Sequence, residues 1–143
     1  MAGNADPLFT RIGDVSANGT TTMPLHVLTA TADYTGVSAN HALIHTAGTN
    51  GSFVQRIRCN AEGTNTASVL RIYINNGSTN ATATNNFLYG QVSLPGTTAI
   101  NTAATVEIDY WMNIALPASF RIYVGLGTTV AAGWFCSTIG GQY

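Results

Sequence analysis

The 143-residue chain has no lysine, and charged side chains make up only 8% of it. A soluble domain usually carries about a quarter. The cations are Arg11, Arg56, Arg58, Arg71 and Arg121; six acids oppose them, for a formal net charge of −1. Such a balance lacks the basic footprint of nucleic-acid binders. It also lacks the polybasic segment that seeks an anionic membrane surface. Neither nucleic acid nor membrane is therefore expected as a partner. No run approaches the ~20 apolar residues of a membrane-spanning helix. The opening "MAGNADPLFTRIGD" has an acid at Asp6 and no apolar stretch of the kind a secretory signal needs. Manufacture and use from the cytosol are expected, with Cys59 and Cys136 as reduced thiols. So little charge gives weak self-repulsion, which implies that partners cover much of the surface; a soluble protein that uses Thr and Asn for hydration is the alternative.

Catalytic and metal-binding motifs are also missing. The chain has no G-x-S-x-G elbow and no P-loop. It has no Cys-x-x-Cys, His-Glu-x-x-His or calcium-loop pattern. His26, His41 and His45 would need Asp33 to complete a metal set. His41 and His45 share a strand face with Leu43 between them, and ~3.3 Å per residue sets them about 13 Å apart, too far for one ion. No metal or cofactor is expected. Glu107 and Asp109 project from one strand face, and two carboxylates about 5 Å apart can serve a retaining glycosidase. Arg56, Arg58, Arg71 and Arg121 also fall on polar strand phases, so cross-strand Arg–carboxylate pairing is the simpler use. No catalytic residue is assigned, and the chain is not read as an enzyme. Trp111 and Trp134 have the chemistry to stack on sugars. A glycan-binding role would require at least one of them to be exposed; in an all-β protein, core or interface placement is the plainer reading.

What the sequence has instead is Thr, Val, Ile, Tyr and Phe, which favour strands, and Asn and Gly, which favour turns. After Pro24, short runs alternate with turn residues at nearly regular spacing. They predict strands over Leu25–Ala30, Ala42–Thr46, Phe53–Asn60, Ser68–Asn75, Phe87–Leu94, Ala104–Ile114, Phe120–Leu126 and Trp134–Ile139. Leu70, Ile72 and Ile74 alternate with Arg71 and Tyr73. Phe120, Ile122, Val124 and Leu126 alternate with Arg121 and Tyr123, and Val106, Ile108 and Tyr110 with Glu107 and Asp109. Period two marks a half-buried strand, and no window has a helical period.

The expectation is an all-β fold, an eight-stranded antiparallel β-sandwich over 24–143, preceded by an extended arm over 1–23. Leu8, Phe9 and Ile12 are the arm's candidate anchors; a frayed terminus is the alternative. Eight such strands close as a jelly roll or an up-and-down barrel. The jelly roll is favoured because the arm, Thr31–His41 and Gly77–Asn86 can supply its longer crossings. It would put Cys59 and Cys136 on adjacent strands, where free thiols are still expected.

The stretch "NGSFVQRIRCNAEGTNTASVLRIYINNGSTNATATNNFLYGQVSLPGTTA" and the later "LPASFRIYVGLGTTVAAGW" resemble a family of small virion structural proteins of tailed bacteriophages. The likeness runs from about Gly51 to Tyr143 and includes jelly-roll capsid decoration or cement proteins. It implies a homo-oligomer, a trimer, on the capsid exterior, assembled in the host cytoplasm and reinforcing the shell of the major capsid protein. A tail or tail-tip component is the nearest alternative, and a host-surface glycan-binding module the alternative of another class. Leu8, Phe9 and Arg11 in the arm, and Asn76, Asn80 and Asn85 in the polar stretch between strands, are the candidate contact residues. Asn and Thr offer donors and acceptors without the desolvation cost of full charges.

Overall fold

A computed structural model of the chain describes residues 12–14, 25–27, 29–31 and 33–143. The candidate arm residues Leu8, Phe9 and Arg11 lie outside the described residues. Among the described residues the β-branched and aromatic runs form nine strands. They are β1 (Ile12–Asp14), β2 (Leu25–Val27), β3 (Ala42–Thr46), β4 (Ser52–Ala61), β5 (Ser68–Asn75), β6 (Asn86–Leu94), β7 (Glu107–Leu116), β8 (Arg121–Leu126) and β9 (Trp134–Gln142). The only helical element among the described residues is a 3-10 turn, Ala83–Asn85.

The strands make two antiparallel sheets. One runs β1-β9-β4-β7, with β2 also paired to β9; the other runs β3-β8-β5-β6. The pairing is nested: β5 with β6, β4 with β7, β3 with β8 and β2 with β9. A long antiparallel hairpin rolled up on itself gives this nesting, which is the jelly-roll topology. The eight expected strands are all present. The ninth, β1, corrects the expected strand count and lies inside the segment expected to be only an arm. Its register partners are Gly140–Gln142, while β2 pairs with Trp134–Cys136, so the two short strands cover opposite ends of one side of β9.

Inward residues of both sheets form one core, including Ile44, Val54, Ile57, Leu70, Ile72, Ile122, Val124, Leu126 and Trp134. Bulges redirect side chains within it. In β4 the buried parity runs Ser52, Val54, then Ile57, Cys59, Ala61, and the change falls at the register shift between Val54 and Arg56. One extra residue moves every later side chain to the other face. A second shift, between Leu43 and His45, makes both Ile44 and His45 inward residues. His41 instead packs edge-on against Tyr73, with ring centroids 4.7 Å apart, on the outer side of the sheet. The expected shared face for His41 and His45 is therefore corrected by this bulge.

Cys59 and Cys136 are direct register partners on β4 and β9, with their Cα atoms 4.3 Å apart. They form a disulfide, which corrects the expectation of free thiols. The short separation is that of a non-hydrogen-bonded antiparallel pair, where side chains come closest.

The outer side of the β3-β8-β5-β6 sheet is not solvated as alternation alone suggested. Arg71 is only 7% exposed and Tyr73 is fully buried, because Thr31 and the residues from Asp33 to His41 lie across them as a strap. Arg71 Nη1 donates to the Thr31 carbonyl at 2.6 Å, and Tyr73 Oη donates to the Asp33 carbonyl at 3.1 Å. Gly125 lets the strap approach: a Cβ there would lie 2.4 Å from His41 Cδ2 and 2.6 Å from Thr31 Oγ1.

Candidate functional site

Three polar constellations emerge. The first is on the outer face of the β9-β4-β7 sheet. Register sets Arg58 beside Asp109 and Arg56 beside Trp111. Arg58 holds Asp109 with a two-pronged contact, Nε to Oδ1 at 3.0 Å and Nη2 to Oδ2 at 3.1 Å. It also reaches Glu107 at 3.1 Å, and Arg56 Nε lies 3.4 Å from Asp109. The Arg56 guanidinium stands 4.8 Å from the centroid of the Trp111 ring, a cation–π stack. Trp111 is 56% exposed, whereas Trp134 is completely buried in the core. Hydrogen bonding from Arg58 holds the Asp109 carboxyl below its ordinary value, against a smaller upward push from desolvation. A general acid needs the opposite shift, so the Asp109 environment favours ion pairing, as the arginine spacing suggested.

The second constellation is the polar stretch between β5 and β6. Its asparagines largely bond to the loop itself. Asn76 and Asn85 pair through backbone (3.0 Å) and through side chains (Asn76 Nδ2 to Asn85 Oδ1, 3.2 Å). Asn85 Nδ2 donates to the Thr79 carbonyl at 2.8 Å. Asn86 Nδ2 donates to the carbonyls of Asn80 (2.8 Å) and Thr82 (3.3 Å), while its Oδ1 accepts from Asn75 Nδ2 at 2.8 Å. Gly77 turns the chain at φ +91°, a conformation that favours glycine. Arg121 Nη1 ties the Ser78 carbonyl to β8 at 3.0 Å. Asn76, Asn80 and Asn85 thus come together, chiefly as the frame of a preformed knob. Ala81, Thr82, Ala83 and Thr84 form its exposed tip.

The third is internal. His45 Nε2 and Ser52 Oγ lie 2.7 Å apart, and Thr138 Oγ1 is 3.3 Å from His45 Nδ1. All three residues are buried. Ser–His proximity can activate a nucleophile, but here the trio pins the two sheets together beneath the surface. No group of three or more metal-ligating side chains occurs among the described residues.

Sequence reasoning missed two neighbours, Arg71 and Tyr34. The Arg71 guanidinium lies 4.1 Å from the Tyr34 ring centroid. Their meeting depends on where the strap crosses the sheet, and no strand periodicity encodes that.

No family model, curated protein or solved structure matches the chain.

Proposed function

We propose that the chain is a virion decoration protein that binds and reinforces a phage capsid shell through a self-associating jelly-roll body. The observation that carries this reading is Trp111, more than half exposed and stacked by Arg56 on the outer sheet face. Trp and Arg are the residue types that most often anchor protein interfaces. The sequence resemblance and the very low charge support the same reading. The Cys59–Cys136 disulfide is compatible with it, since disulfides persist on virion surfaces. Binding would sum shallow contacts over a symmetric oligomer, for which a trimer is proposed.

The test is co-sedimentation of purified protein with undecorated shells. Trp111→Ala should fold normally and lose most of its shell occupancy. Replacing 76–85 with a short Gly-Ser turn asks separately whether the knob docks. Full occupancy by the Trp111 variant would remove this face from the reading.

The same tryptophan favours a second reading, a glycan-binding module, because an exposed aromatic ring beside carboxylates and arginines suits a sugar's apolar face and its hydroxyls. Glycan-array binding by wild type that Trp111→Ala loses, with shell binding absent in both, would select it.

A further inference from the structure

Beside the strap, the outer face of the β3-β8-β5-β6 sheet carries an open groove of about 350 Å³ lined by Ala67, Ser68, Val69, Arg71, Gly127 and Thr128. Arg71 is more than nine-tenths buried, at 7% exposure. Its Nη1 is satisfied by Thr31, but Nε has no hydrogen-bond partner. Among the described residues no carboxylate lies within ion-pair distance of its guanidinium, whereas Arg56 and Arg58 share Asp109. Asp33, on the same strap, uses Oδ1 for the Thr35 and Gly36 amides and the Thr35 hydroxyl. Burying a cation without a counter-charge carries a heavy desolvation penalty. The edge of Arg71 left over, Nε with Nη2, is the edge with which Arg58 grips Asp109.

We propose that this groove is a carboxylate-binding site anchored by Arg71. The proposal stands independently of the role assigned above. A single cation in a chain without lysine matches a monoanion better than a phosphate dianion. The hydroxyls nearby are already engaged, Ser68 Oγ with the Thr128 backbone and Thr128 Oγ1 with the Ala67 carbonyl. Ala67, Val69 and Gly127 leave room for a short apolar stem behind the carboxylate. A Gly127 Cβ would stand 3.6 Å from Arg71 Nη2, so glycine there keeps the approach to the guanidinium open. Tyr34, 60% exposed, stacks on the face of the guanidinium, 4.1 Å from ring centroid to the charge. The carboxylate belongs either to a small organic acid or to an acidic side chain of a partner polypeptide.

The test is a ¹H–¹⁵N titration of the full chain with propionate, glutarate, a capped Gly-Asp-Gly peptide and inorganic phosphate, at constant ionic strength set with chloride. Saturable shifts of the Arg71 Nε–H and Gly127 amide signals with the carboxylates are expected. Arg71→Met should weaken the Gly127 response at least about tenfold, as expected for losing a charge-assisted bond. Gly127→Val fills the groove, keeps the guanidinium and should abolish the Arg71 response, which decides the matter if the Arg71 variant does not fold. Tighter binding by the peptide than by propionate assigns the site to a protein acid; equal or weaker binding assigns it to a small acid. No saturable shift in the wild-type chain, an unchanged response in Gly127→Val, or phosphate binding that equals the carboxylates would overturn the proposal.

Discussion

Cys59 and Cys136 stand directly opposite one another on β4 and β9 and are joined by a disulfide. The bond links positions 77 residues apart through the centre of one sheet. Closing so long a loop removes much of the unfolded chain's freedom.

Replacing both cysteines with alanine should therefore lower stability by about 2–4 kcal/mol. Urea denaturation checks the size of the loss, and thiol titration of the unreduced, unfolded wild-type chain should find no free thiol. A full complement of free thiols would restore the earlier expectation of a reduced pair.

His41 sets an acid limit on the strap. Burial pushes its pKa below the ordinary 6.5, helped by Arg71 and opposed by Asp33 and backbone contacts. The unfolded chain then takes up a proton at a higher pH than the folded chain does. Stability is complete above about pH 6.5 and declines as pH falls below it. Denaturation at pH 7.5 and pH 5 should show the wild type losing more stability than His41→Phe. Equal losses would detach the effect from His41. Asp33 acts in a separate window. Burial pushes it up, but hydrogen bonds from Gly36 and Thr35 leave it net lowered, so its contribution is present above pH 3.8 and is lost as pH falls through its lowered folded value.

Gly125 controls how closely the strap can lie. An added Cβ would overlap His41 and Thr31, and relieving such an overlap costs about 1–3 kcal/mol. Gly125→Ala should lower the unfolding free energy by that amount, seen as a lower urea midpoint at unchanged slope, and increase the solvent exposure of Tyr73. A variant as stable as wild type, with Tyr73 still buried, would mean that the strap is not held against the sheet here.

Asn86 is the chief frame of the knob, through its bonds to Asn75, Asn80 and Thr82. Asn86→Ala should cost about 1–2 kcal/mol and speed hydrogen exchange at the Asn76 amide, which donates to the Asn85 carbonyl across the hairpin, and at the Asn85 amide, which donates to the Thr82 carbonyl within the turn. Unchanged exchange at those amides would show that the backbone turn alone fixes the loop.

The strands were legible because one face of each is buried, which writes period two into β5, β7 and β8. The ends of β3 and β5 were legible to the residue. β4 gave no clean alternation for a physical reason, the bulge at Gln55–Arg56. The burial of Arg71 and Tyr73 depends on a strap from elsewhere in the chain, so their polar phase misread them as solvated. The disulfide depends on cross-strand register, which a single strand's pattern does not contain. In the polar stretch the turn was legible, but the inward use of Asn85 and Asn86 was not, since the same residues would compose a loop offering its amides to a partner. Trp111 and Trp134 could be told apart only once β7 and β9 had faces.

The most direct test of the central claim is the copy number of this chain in purified particles, measured against the major capsid protein. Hundreds of copies in a simple ratio to the capsid protein is the result predicted for a decoration protein. A few to a few dozen copies would move it to the tail, and absence from the particles would contradict the account.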